Sequence, residues 1–160
     1  MSLKSTFLGA IVALGLATPV LAEIEIHDQY ARSSNAMTGA AFMVIHNYSD
    51  IDDRLIGVTS NAAARTEIHT HIEDDNGVMR MVHVEDGIGI PAGGEILMKR
   101  GANHVMFMGL SEPFVQDADV IITLMFETAG AVEVIVPVDQ DRVETDHGAM
   151  DHSDMDHSDH

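Results

Sequence analysis

Val120-Ile121-Ile122-Thr123-Leu124-Met125-Phe126, then Glu127-Thr128-Ala129-Gly130, then Ala131-Val132-Glu133-Val134-Ile135-Val136-Pro137-Val138 is the stretch on which the fold turns. Two runs rich in β-branched residues flank a short segment that ends in glycine, which reads as strand, turn, strand. The same grammar repeats upstream. Ile24 with Ile26, then residues 40–45, 55–58, 78–84, 96–98 and 104–110 are apolar runs of strand length. Between them stand Asn47-Tyr48-Ser49-Asp50, Asp74-Asp75-Asn76-Gly77, Pro91-Ala92-Gly93-Gly94 and Arg100-Gly101-Ala102-Asn103, all rich in turn formers. Seven to nine strands without a sustained helical period predict an all-β fold, an antiparallel sandwich or Greek-key barrel. Only residues 60–65 read as a helical turn.

The two ends of the chain differ from this middle. Residues 1–22 carry Lys4, an apolar stretch over 7–20 and the small-residue ending Val20-Leu21-Ala22 before Glu23, the pattern of a secretory signal peptide cleaved after Ala22. The apolar stretch is shorter than the roughly 20 residues that span a bilayer, so no membrane insertion is expected after cleavage. Residues 139–160 hold eight acids, four His and two Met but no aromatic residue, a composition expected to stay disordered. Within them Met150-Asp151-His152-Ser153-Asp154 is nearly repeated as Met155-Asp156-His157-Ser158-Asp159, low-complexity sequence of a metal-binding kind. The expected organisation is a leader over 1–22, a β-domain over 23–138 and an acidic His/Met tail over 139–160.

Composition narrows the chemistry. The 160 residues fit one domain. Twenty-six acids against eight bases, a formal charge of −18, repel phosphate backbones and anionic membrane surfaces, so nucleic acid is excluded as a partner. The absence of cysteine excludes disulfide scaffolds, thiolate zinc sites, blue-copper centres, iron–sulfur clusters and thiol nucleophiles, together with a lipid anchor on Cys. What stands out is 11 Met beside 10 His.

Side chains two apart on a strand share a face. His104-Val105-Met106 therefore presents an imidazole beside a thioether, Met79-Arg80-Met81-Val82-His83 offers the same kinds of donor, and Glu67-Ile68-His69-Thr70-His71 offers two imidazoles. Three such strands close together in a small barrel outline a metal site. Neutral thioethers bind hard Mg or Ca poorly, whereas imidazole with thioether suits copper, above all Cu(I). Met43, Met98, Met108 and Met125 read as packing residues. His46 and His83 read as structural or surface histidines. His27 is not the third residue after the expected cleavage, so it forms no amino-terminal Cu(II) motif. No nucleophile-elbow motif supports an enzyme.

The motifs Asp28-Gln29-Tyr30-Ala31-Arg32, Ala40-Ala41-Phe42-Met43-Val44-Ile45, Asp52-Asp53-Arg54-Leu55-Ile56-Gly57-Val58, Gly77-Val78-Met79-Arg80-Met81, Ile90-Pro91-Ala92-Gly93-Gly94, His104-Val105-Met106-Phe107-Met108-Gly109-Leu110 and Phe126-Glu127-Thr128-Ala129-Gly130 resemble the PCuAC (DUF461) periplasmic copper chaperones. That resemblance implies a cupredoxin-like Greek-key β-barrel binding one Cu(I) through two His and two Met. The family pattern is His, ten residues, Met, 21 or 22 residues, then His-x-Met. It places His104 and Met106 as the second pair. Met81 precedes His104 with 22 residues between, while Met79 leaves 24. For the first ligand the chain departs from the pattern, since His69 and His71 leave 11 and 9 residues before Met81. His69 is taken as the ligand and His71 as alternate or supporting residue, with Met79 alternate to Met81. By the same resemblance copper is held in the periplasm and passed towards cytochrome c oxidase assembly, to an oxidase subunit or a Sco-type copper protein. His147, Met150, His152, Met155, His157 and His160 in the tail are expected to take further copper, as Cu(II), and feed it to the barrel at high effective concentration. A periplasmic copper buffer without a dedicated acceptor is the competing reading.

Overall fold

A computed structural model describes residues 23–143. The leader over 1–22 and the tail residues His147 to His160 singled out above lie outside the described residues. Ten strands follow one another: β1 (Ile24–Ser33), β2 (Thr38–Asn47), β3 (Asp53–Ser60), β4 (Ala63–Glu73), β5 (Met79–His83), β6 (Ile88–Ile90), β7 (Glu95–Met98), β8 (His104–Leu110), β9 (Asp119–Phe126) and β10 (Gly130–Pro137). The fold is all-β, as the sequence predicts. Among the described residues no helix is long and apolar enough to cross a membrane.

The strands form two antiparallel sheets. The first has the order β1-β2-β8-β4-β5 with β7 also paired to β2, and the second has the order β10-β9-β3-β6. A parallel bridge between Ala31 and Val138 joins the sheets along one side. The core lies between them, where Ile45, Leu55, Val105, Phe107, Ile122, Leu124 and Val136 are fully buried. Strand alternation decides what faces it. Because Ile68 on β4 and Val105 and Phe107 on β8 point inward, the residues between them point to the outer face of the first sheet.

The hairpin at 120–138 forms as read, and a carboxylate pins it. Asp53, at the start of β3, accepts the N–H of Arg54 (2.7 Å) and Thr128 (2.9 Å) on Oδ1 and the N–H of Ala129 (2.9 Å) on Oδ2. Burial alone would raise the Asp53 pKa, but these N–H groups and the Thr128 hydroxyl outweigh it and hold the carboxyl below its usual value.

Residues 60–65 correct the expected helical turn. β3 runs to Ser60 and β4 starts at Ala63, with a tight reversal at Asn61-Ala62 between them. The Ser60 hydroxyl donates to the Ile121 carbonyl (2.7 Å) and accepts the Ala62 N–H (3.1 Å), so a side chain supplies the turn's hydrogen bond that a helix would have supplied from the backbone. Met43 and Met98 are core residues as expected, but Met125 is 37% exposed because its position on β9 alternates to the outer surface. Met108 is half-buried on the outer face, its sulfur 3.7 Å from the Arg65 guanidinium.

Ordered contacts continue past residue 138. The Asp139 N–H donates to Ala31 (2.8 Å), the Gln140 amide donates to the Ser33 hydroxyl (2.8 Å), and the Arg142 guanidinium lies 4.8 Å from the centroid of the Tyr30 ring. The chain thus leaves the described residues over Tyr30.

Candidate metal centre

The three strands with His and Met are neighbours: β8 pairs with β4, and β4 with β5. Register then lines up the donors. His69 faces His104 on one side and His83 on the other, His71 faces Met81, Glu67 faces Met106, and Glu73 faces Met79. Cross-strand partners share a face, so His69, His71, Met81, His104 and Met106 all lie on the outer surface of the first sheet. Ile68 and Val105 fill the interior side of these strands, so the donors face away from the core. Met79 lies on the same face one row beyond Met81 and is the more exposed of the two, at 55% against 46%.

His104 is the buried anchor, only 3% exposed. A second apolar cluster of Tyr30, Ala40 and Phe42 covers one side of it: the Tyr30 and Phe42 rings are 5.1 Å apart, and Phe42 lies 6.2 Å from His104. Its Nδ1 is 2.9 Å from the Ala102 carbonyl. A carbonyl only accepts, so Nδ1 carries the proton and Nε2 carries the lone pair. Burial lowers the His104 pKa; the Ala102 hydrogen bond opposes this, and the neighbouring His71 and His69 reinforce it. The imidazole is therefore held neutral, the form in which it binds a metal.

Two further imidazoles converge on it. The ring centroids of His71 and His69 lie 5.4 and 6.1 Å from that of His104. The Nδ1 atoms of both are buried without a hydrogen-bond partner, an arrangement that costs free energy while the atom stays unpaired. His69 Nε2 is engaged with Glu67 Oε2 at 2.9 Å, and Arg65 Nε lies 3.3 Å from Glu67 Oε1. The hydrogen bond from His69 lowers the Glu67 pKa; partial burial opposes it, and the charges of Arg65, His83 and His69 add to the lowering.

His83 reads from sequence as a structural or surface residue, yet it faces His69 with ring centroids 5.9 Å apart. The alternation Met79, Met81, His83 was the signal for it; what sequence lacked was the β4–β5 register. Glu67, two residues before His69 on the same strand face, proves to be the group that holds its ring. His46 fits its structural reading, stacked on Tyr48 at 3.9 Å with Nδ1 3.6 Å from Glu95, and His27 pairs with Glu25 at 3.3 Å. Among the described residues no three His, Cys, Asp or Glu side chains are arranged by themselves to hold a metal ion. A site on this face has to draw on the thioethers of Met81 and Met106, donors that suit a soft ion.

The chain matches a family model described as putative lipoprotein LpqE-like over residues 24–138. It is 28% identical over 115 residues to the putative lipoprotein Lxx21020 of Leifsonia xyli subsp. xyli, covering 72% of this chain and 69% of that protein. Among solved structures, the copper-bound PCuAC domain from PmoF2 is 25% identical with a TM-score of 0.59, over 74% of this chain and 93% of that one. The Cu(I) form of DR1885 from Deinococcus radiodurans is 27% identical with a TM-score of 0.55, over 72% of this chain and 79% of that one.

Proposed function

Because the chain belongs to the LpqE-like family, we propose that it is an exported copper-binding protein that holds Cu(I) on the outer face of its first sheet and hands it on. The ligands are His104 through Nε2, Met106, Met81 and one imidazole of β4, His69, with His71 beside it as the alternate. The observation that carries this reading is the convergence on one face of buried imidazole nitrogens without partners and two thioethers. Four neutral donors of this kind suit Cu(I) better than Zn, Ca or Mg. The copper carried by the PmoF2 domain and by DR1885 adds support.

The work is binding and transfer rather than turnover. Half-exposed Met81 lets an acceptor approach the metal from solvent, and thioethers yield to an acceptor's thiolates, which are stronger copper ligands. Delivery towards cytochrome c oxidase, directly or through a Sco-type protein, in the periplasm, follows from the family resemblance. Export is supported by the leader-like residues 1–22 and by the lipoprotein description of the family; none of the 160 residues is a cysteine able to take a thioether-linked lipid. The described chain ends on the same face as the site, since Arg142 packs over Tyr30, Tyr30 lies against Phe42, and Phe42 neighbours His104. His147, Met150, His152, Met155, His157 and His160 would take up further copper, as Cu(II), beside the Cu(I) of the sheet site.

The test is a competitive Cu(I) titration against a chromogenic chelator. The expected result is one tightly bound Cu(I) in a chain ending at Val143, lost in His104→Ala/Met106→Ala; a separate Cu(II) titration is expected to show extra copper only when residues 144–160 are present. Tight binding that survives the double substitution overturns the sheet site. Mixing the Cu(I) form with an apo acceptor then separates chaperone from buffer: transfer faster than free dissociation marks the chaperone.

A further inference from the structure

We infer that Glu67 is a positioning residue for copper: its carboxylate accepts a hydrogen bond from the Nε2–H of His69, so that His69 presents the Nδ1 lone pair to the metal. The inference rests on the copper reading above and deepens it.

A carboxylate only accepts, so at 2.9 Å from Glu67 Oε2 the Nε2 of His69 carries the proton. In the neutral ring the lone pair is then on Nδ1, the atom found buried and without a partner. Glu67 is itself held in place. Arg65 Nε lies 3.3 Å from its other oxygen, and His83 Nδ1 lies 4.0 Å from the oxygen that binds His69. The carboxylate stands opposite Met106 while His69 stands opposite His104, Met106 and His104 both being proposed ligands. A hard carboxylate is a poor donor to Cu(I), so its contribution is to orient the ring and to set a negative charge beside a cation otherwise surrounded by neutral ligands. Carboxylates that hold a metal-binding imidazole in this way fix its tautomer and raise its basicity.

The test uses the full chain and long-range ¹⁵N–¹H correlation spectra of the histidine rings, with and without Cu(I), which is diamagnetic. In the apo protein His69 is expected as the Nε2–H tautomer, and Cu(I) is expected to move its Nδ1 resonance. Glu67→Ala should release the tautomer and weaken the Cu(I) Kd about 10–100-fold. Glu67→Gln still offers a carbonyl oxygen, so it should keep the tautomer and lose less affinity. An Nδ1–H tautomer in the wild type, a Cu(I) shift confined to Nε2, or a wild-type Kd in Glu67→Ala would each overturn the inference while leaving the copper reading intact. Unchanged Cu(I) binding in His104→Ala/Met106→Ala would remove the copper reading, and this inference with it.

Discussion

His69 and His104 face each other across β4 and β8 with opposite ring nitrogens engaged: Nε2 of His69 on the Glu67 carboxylate, Nδ1 of His104 on the Ala102 carbonyl. Each ring is thereby left with one defined lone pair, the form in which an imidazole can bind a metal. Their rings are 6.1 Å apart at the centroids.

His69 and His71 are separable by substitution. Loss of a direct ligand should cost more than the roughly 10–100-fold typical of a supporting group. His69→Ala is therefore expected to weaken Cu(I) binding beyond that range, and His71→Ala to fall within it or below. The reverse order in chelator competition would move the ligand to His71.

The burial of His104 predicts an acid-sensitive apo protein. Its folded pKa lies below the ordinary 6.5, so the unfolded chain binds the proton first. Stability from this group is full above 6.5 and is lost as pH falls through the folded value. Urea midpoints of the apo protein measured from about pH 7.5 down to about pH 5 should decline more steeply in the wild type than in His104→Gln. Parallel declines would show that His104 does not contribute.

Asp53 gives a second, lower window. Its carboxyl is held below the ordinary 3.8, so its stabilisation is present above that value and lost as pH falls below it. Asp53→Asn turns an NH₂ donor towards backbone N–H groups and should cost about 1–3 kcal/mol at neutral pH, read by urea denaturation. A variant as stable as the wild type would mean that the β9–β10 turn does not depend on this carboxylate.

Two glycines with positive φ should respond differently to alanine. At Gly87 (φ +71°) an added Cβ would come 2.4 Å from the Leu55 carbonyl oxygen, whereas at Gly93 (φ +64°) nothing lies within 4 Å. Gly93→Ala should cost only the roughly 1–2 kcal/mol of left-handed backbone strain. Gly87→Ala should cost clearly more, because backbone has to move. Equal shifts in melting temperature would contradict this.

The hairpin at 120–138 was legible because strand period and turn chemistry agree there. β6 was not, since the three residues Ile88–Ile90 are too short to show a period and are held by pairing with β3. The helical turn expected at 60–65 failed where a serine side chain closed the turn instead. The donors of the candidate site were legible as types and spacings, but His83 and Glu67 were not assigned to it, because their roles depend on which residues face them across the strands.

The chain's chemistry was determined by sequence alone: soft and imidazole donors without a thiol, alternating on strands and set in a strongly acidic chain. Alternation is a property of the extended backbone and needs no partner to be read. Tertiary structure decided that β8, β4 and β5 are neighbours, that their donors share the outer face of one sheet, and which nitrogen of His69 and of His104 is left free. Those outcomes depend on register between strands distant in sequence and on hydrogen bonds to Glu67 and Ala102, which exist only once the sheet has closed.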